Sequence, residues 1–278
     1  MGSGSTATVE DAASVRPLIT RREGLLATAA AILAGLRGGT AVAAPAAWSA
    51  EHHPFLKNVR VSVEGELLVV ESDGIPNHET AEYPNASNPN RILKQNYRFK
   101  IPLRPVWTNQ PTRLPMGPIG VAINGIPFYN PYNAEGRNAV EGPWAEVFDS
   151  CCGHPDPAGR YHYHKYPVCV KSPFKDPPDS HSPIIGIAFD GYPVYGPKCE
   201  GGEPPVNLDD CNGHRDDERG YHYHVTKRFP YILGAYRGEV DPANFDGPGG
   251  GPRRRPGGGG PPGFPPGPPP GRRPPPPR

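Results

Sequence analysis

Apolar positions along this chain come in short bursts. Gly120-Val-Ala-Ile precedes Asn124-Gly125, and Gly186-Ile-Ala-Phe precedes Asp190-Gly191; an apolar segment returns after each pair, as Ile126-Pro-Phe-Tyr129 and Tyr192-Pro-Val-Tyr195. Short apolar runs around Asn-Gly or Asp-Gly predict β-hairpins, because both turn residues tolerate positive φ. Val59–Val63 and Leu67–Val70, on either side of Glu64-Gly65-Glu66, predict another hairpin. No window holds a helical period, and Pro and Gly crowd 75–118 and 171–206, which excludes long helices there. The expected fold is mainly β and loop-rich, with little helix.

The two hairpins head two copies of one pattern. Asp149-Ser-Cys-Cys-Gly-His154-Pro-Asp156-Pro-Ala-Gly-Arg-Tyr161-His162-Tyr163-His164 aligns without gaps on Asp209-Asp-Cys-Asn-Gly-His214-Arg-Asp216-Asp-Glu-Arg-Gly-Tyr221-His222-Tyr223-His224. The tetrads are offset by 60 residues and the hairpins by 66, so the second copy is six shorter in its middle loop. Neither unit can bury a face alone. The prediction is two pseudo-symmetric hairpin-containing repeats, about 118–169 and 184–235, packed in one domain.

Composition sets the ends apart. Arg21-Arg22, an apolar run over Leu25–Leu36 and small residues at Ala41-Val42-Ala43 describe a secretory signal over 1–43, with paired arginines suggesting the twin-arginine route. The apolar run is too short to span a bilayer, which takes roughly 20 residues, so no transmembrane segment is expected in the mature chain. From 246 to 278 there are only Gly, Pro, Arg, one Asp and Phe264. Such a tail cannot bury enough apolar surface to order itself; it reads first as a solvated spacer, and its six arginines could also meet an acidic surface such as a cell-envelope polymer or anionic lipid. The expected globular region is 44–245, in a secreted or periplasmic protein.

Ten of the 29 basic and four of the 28 acidic residues lie outside 44–245. The remaining 19 against 24 leave that region near −5, which argues against nucleic acid as a partner.

The tetrads carry the chemistry. Side chains alternate along a strand, so His162 and His164 share one face and Tyr161 and Tyr163 the other, and likewise His222 and His224 against Tyr221 and Tyr223. Two imidazoles on one face can converge on an ion. The natural third ligand is the histidine after a glycine, His154 or His214, where glycine lets the backbone turn the ring inward. Asp156 and Asp216 are placed to hold a ring's other nitrogen or to bind directly, and Asp149 and Asp209 to join the same network. His78, after a strand and a turn, is a weaker candidate for the same cleft. His52, His53 and His181 are expected at the surface. Neutral imidazole suits copper and zinc alike; with Met1 and Met116 the only methionines, a thioether-rich copper carrier is disfavoured.

All five cysteines lie between Cys151 and Cys211. In an exported chain Cys151 with Cys169 and Cys199 with Cys211 would each close a short loop, leaving Cys152 over.

The doubled tetrad, the Asn-Gly and Asp-Gly hairpins, Asp190-Gly-Tyr-Pro-Val-Tyr-Gly196, the Asp-x-Cys-x-Gly-His steps and Phe229-Pro-Tyr-Ile-Leu-Gly234 resemble the YHYH domain family of exported proteins over about Val59 to Arg237. The segment around His78 shares in that resemblance. Where such proteins often carry Gly-Cys-Tyr-Arg-Gly, this chain has Gly234-Ala235-Tyr236-Arg237-Gly238. The usual partner of Cys211 is therefore missing, and either Cys199 replaces it or Cys211 stays free. The family name brings no reaction with it.

Two functions compete. One is an exported transition-metal protein, with redox or hydrolytic chemistry at an open coordination position. The other is a metal-free surface or matrix scaffold whose tyrosines, Trp107 and Trp144 bind polysaccharide or peptide. No nucleophile elbow, zinc-protease helix or phosphate loop is present, so whether the protein is an enzyme stays open.

Overall fold

The computed structural model describes residues 48–170 and 178–245. The signal expected over 1–43 and the tail expected over 246–278 lie outside the described residues. Among those described there are thirteen strands, two short 3-10 turns and no α-helix.

Strands β1 (Arg60–Glu64), β2 (Leu67–Ser72) and β3 (Tyr97–Pro102) form an antiparallel sheet in the order β1-β2-β3. Its first hairpin turns through Gly65 at φ 60°, as Glu64-Gly65-Glu66 predicted. β3 was not visible in the sequence as a strand. A two-stranded ribbon joins β4 (Trp107–Arg113) to β13 (Ala235–Gly238).

The central sheet has eight strands: β5 (Pro118–Ala122), β6 (Pro127–Tyr129), β7 (Gly153–Pro155), β8 (Tyr161–Tyr163), β9 (Ile184–Ala188), β10 (Pro193–Tyr195), β11 (Gly213–Asp216) and β12 (Gly220–His224). They lie in the order β11-β12-β10-β9-β5-β6-β8-β7. β5 and β9 pair antiparallel at the middle. On each side the next pairings run antiparallel (β5–β6, β9–β10), parallel (β6–β8, β10–β12) and antiparallel again (β7–β8, β11–β12). β5 is buried along its whole length and β9 over Ile185–Ala188, which explains why their sequences run apolar without alternation.

The Asn-Gly and Asp-Gly turns form as predicted, with a different geometry. Only Gly125 (φ 85°) and Gly191 (φ 87°) take positive φ. Gly125 donates to Ala122 and Ala122 to Ile126, and Gly191 to Ala188 and Ala188 to Tyr192. This is a three-residue loop whose last residue is left-handed, so the glycine alone carries the conformational demand.

The core gathers around these turns. Phe99 meets Phe189 at 5.0 Å between ring centroids, the Trp48 indole donates to Gly191 O at 2.8 Å, and the Tyr236 hydroxyl donates to Ile119 O at 3.1 Å. The three-stranded sheet and the β4–β13 ribbon thereby hold the hairpins in place. The outer hairpins β7–β8 and β11–β12 carry the histidines.

Candidate metal centres

In each outer hairpin the first strand's histidine lies directly across from the tetrad's first: His154 opposite His162, and His214 opposite His222. The tyrosines fill the opposite face, with Tyr161 and Tyr163 edge-on at 5.7 Å and Tyr221 and Tyr223 at 5.4 Å. The alternation read from the tetrads is therefore what turns the imidazoles to one side. The glycine before each third histidine has a different purpose from the one expected. A Cβ on Gly153 would stand 2.3 Å from the Tyr161 ring, and one on Gly213 would stand 2.3 Å from the Tyr221 hydroxyl. Glycine is needed because a tyrosine ring crosses the strand there.

The first cluster is buried. His162 Nε2 lies 3.1 Å from His154 Nε2 and 3.0 Å from His164 Nε2. Each ring's far nitrogen meets a backbone carbonyl: His154 Nδ1 donates to Val147 O (3.0 Å), His162 Nδ1 to Arg160 O (2.9 Å) and His164 Nδ1 to Asn130 O (2.6 Å). Carbonyls only accept, so each Nδ1 holds a proton, and in the neutral form of each ring the Nε2 lone pair points at the others. Glu146 joins them, its Oε2 3.4 Å from His154 Nε2 and 3.2 Å from His164 Nε2. That oxygen is buried with no hydrogen-bond donor facing it. Burial pushes the Glu146 carboxyl up, whereas positive charge on His154 and His164 would outweigh it and bring it down to about 2. Burial, with the neighbouring rings, holds His162 well below the usual histidine range.

The second cluster repeats this geometry. The His214, His222 and His224 Nε2 atoms form a triangle with sides of 3.0, 3.2 and 3.1 Å. His222 Nδ1 donates to Gly220 O (3.0 Å), His224 Nδ1 donates to Gly196 O (2.7 Å), and His214 bonds to the Val206 backbone. Burial brings His222 down to about 4 and His224 to about 3. Together with the Asp216 carboxylate beside His222, His181 and Cys199 flank this triad. With His214 and His224 they place one donor atom each within 4.8 Å of one another. Cys199 and His214 also line an open cavity of about 490 Å³ together with Trp107, Arg215 and Tyr221.

These spacings suit an ion. Four donors held about 2.0–2.1 Å from one centre at tetrahedral corners stand about 3.3–3.4 Å apart. Lone pairs meeting at 3.0–3.2 Å are repulsive unless a proton or another positive charge lies between them.

The structure thus brings together His154, His162 and His164, and separately His214, His222 and His224. The carboxylates assigned to hold ring nitrogens do other work, since backbone carbonyls have taken that role. Asp149 accepts from the Tyr161 hydroxyl (2.7 Å) and from Cys151 N and Gly153 N; Asp209 accepts from the Tyr221 hydroxyl (3.1 Å) and Arg237 (2.6 Å). Asp156 binds Arg160 and the Tyr129 hydroxyl, and reaches the cluster only through the Tyr129 ring stacked 3.8 Å from that of His162. Asp216 binds Arg219, but its Oδ2 also lies 3.9 Å from His222 Nε2 and forms with His181 and His222 a group that could hold an ion, the direct role expected of it. His78 does not face the cleft: its Nε2 pairs with the Tyr163 hydroxyl (2.6 Å) on the other side of β8, and its Nδ1 with Glu79 O.

Three donors were missed. His181 is buried in the second cluster rather than at the surface. Cys199 is a free thiol beside two histidines, not the partner of Cys211, and Cys152 and Cys211 are free as well. Glu146 carries no local signal, because a loop brings it in. The unpaired cysteine count was the one available hint for Cys199. The Cys151–Cys169 disulfide forms as expected, with Cα atoms 5.1 Å apart.

Among the described residues no helix is long and apolar enough to cross a membrane. No curated protein and no solved structure matches the chain. Residues 98–205 match the family model described as YHYH protein; both hairpin turns and the first tetrad fall inside that stretch, and the second tetrad lies beyond it. That match supports, over residues 98–205, the resemblance carried by the motifs.

Proposed function

We propose that this is an exported protein that holds a transition metal ion, copper or zinc, in each of two histidine triads. One observation carries the reading. In both clusters three Nε2 atoms converge within 3.0–3.2 Å of a neighbour while the opposite side of each ring is tied to the backbone. A structural hydrogen-bond network would pair each nitrogen with a donor or acceptor of opposite kind; six histidines with lone pairs facing inward do the reverse. Backbone anchoring also fixes ring orientation, as the outer contacts of metal-bound histidines do.

Glu146 supplies a fourth donor in the first cluster, where three histidines alone had suggested an open position. A closed set of four protein donors is the arrangement of sites that hold an ion rather than turn over substrate. The reading is therefore of metal retention or transfer in the first instance, with redox or hydrolytic chemistry requiring a site that opens. Export is supported by the disulfide, which an oxidising compartment allows.

The competing reading is a metal-free scaffold that binds polysaccharide or peptide. It draws on exposed Trp144 with the Arg137 guanidinium 4.0 Å above its ring. Elemental analysis of the exported protein separates the two. Bound copper or zinc, reduced by half in a His162→Ala/His164→Ala variant, is expected. A folded protein that carries no metal, and whose stability is unchanged in chelator, would leave the scaffold reading standing.

A further inference from the structure

The two triads share their histidines' geometry and differ in what stands beside them. Beside the second is Cys199, a free thiol whose Sγ lies 3.8 Å from His214 Nε2 and 3.6 Å from His224 Nε2. A nitrogen and a sulfur bound to one ion at about 2.0–2.1 and 2.3 Å, with a tetrahedral angle between them, stand about 3.5–3.6 Å apart. A thiol has one proton and can give it to one nitrogen; near-equal distances to two are what a shared ion produces. The sulfur is also held in place. Cys199 N donates to Glu203 O at 2.7 Å and Gly202 N to Cys199 O at 3.1 Å, closing a tight loop that presents the side chain to the triad. His222 and His224, both fully buried, aim their Nε2 atoms into the same space.

We infer that Cys199 is a thiolate ligand of the second site, which makes that site selective for a thiophilic d10 ion, copper(I) or zinc(II), and that the ion enters through the cavity beside Trp107. The inference rests on the reading of the triads as metal sites. On binding, the Cys199 S–H bond breaks, the proton leaves to solvent and the sulfur lone pair goes to the ion; neither sulfur nor metal changes oxidation state. Thiolate donors favour copper(I) and zinc, whereas the three imidazoles and carboxylate of the first site give no such preference. Cys199 and His214 form part of the cavity wall, so the second ion sits next to solvent.

Cobalt(II) is the direct probe, because a cobalt–thiolate bond gives a near-ultraviolet charge-transfer band that imidazole and carboxylate ligands lack. The full chain is expected to take up two cobalt ions, one with that band. Cys199→Ser should abolish the band, keep the first site filled, and weaken the second by at least about 10- to 100-fold, the effect that loss of even outer contacts produces. One equivalent of zinc(II) or copper(I) should erase the band in the unmutated protein, and whichever does so at the lower concentration is the preferred ion; failure of both would overturn the selectivity. Should the variant not fold, alkylation of the unmutated protein gives the same answer. Cys199 should react after chelator treatment and be protected when loaded, with Cys152 as the internal reference. Two cobalt ions bound without a thiolate band, or equal Cys199 labelling in both states, would overturn this inference alone. No cobalt bound at all would remove it together with the reading beneath it.

Discussion

The outer hairpins β7–β8 and β11–β12 offer a controlled comparison within one molecule. The histidines, the tyrosines behind them and the backbone anchors correspond, while the extra donors do not. Glu146 reaches the first cluster from a loop ahead of β7; His181 and Cys199 reach the second from loops flanking β9 and β10. The paired segments build a shared triad, and segments outside the matched pattern supply the side chains in which the two clusters differ. The supports differ too. The first hairpin is tied by Cys151–Cys169, whereas Cys211 in the second is a buried free thiol that burial, with Asp209, pushes up to about 12. Gly234 donates to Cys211 O, which brings the backbone at Ala235, the position of the missing cysteine in the resemblance, beside Cys211.

The largest expected effect comes from deleting one triad at a time. His162→Ala/His164→Ala should remove one metal equivalent and leave the other, and His222→Ala/His224→Ala should do the converse, read by metal analysis after gel filtration. Loss of both ions from either variant would break the comparison, because the sites would then not be independent. Next in size, Cys151→Ser/Cys169→Ser should lower unfolding free energy by about 3 kcal/mol for a loop of this length. Reduction of the unmutated protein should cost the same. A denaturation series with no difference would show that the disulfide does not support the first hairpin.

The turn residues sharpen the contrast further. Asn124 donates to the Tyr163 hydroxyl at 3.1 Å, while Asp190 at the corresponding turn accepts from the Tyr223 hydroxyl at 2.5 Å. Burial, against four hydrogen bonds that oppose it, raises the Asp190 carboxyl to about 6. A raised carboxyl favours the folded state while protonated. Its contribution is complete below the unfolded value near 3.8 and is lost as pH rises through about 6, amounting to on the order of 3 kcal/mol. Asp190→Asn should remove that component from the stability–pH curve and make the second turn resemble the first. An unchanged curve between pH 4 and about 6 would contradict the assignment. The smallest effect belongs to Glu146→Gln, which keeps shape and loses charge. It should weaken the first site by about 10- to 100-fold and leave the second alone, measured by competition with a chelator of known affinity.

The hairpins were legible because Asn-Gly and Asp-Gly punctuate apolar runs, and the triads because a tetrad on a strand must place its histidines together. Each relation spans at most a dozen residues. Glu146, His181 and Cys199 were not legible as donors, since loop closure between distant segments brings them in and no local period records that. His78 misled for the opposite reason: proximity in the fold is real, but it meets Tyr163 on the far face of β8. Strand β3 was hidden by the surrounding Pro-rich sequence, and Gly153 and Gly213 were read as hinges although a tyrosine ring dictates them.

The central claim is that each triad grips one ion, and native mass spectrometry of the full chain titrated with zinc tests it most directly. The account predicts two mass steps of one ion each, both reversed by chelator, with a fall in Tm as they are lost. A folded chain that gains no ion at micromolar zinc, and whose Tm is indifferent to chelator, would contradict it.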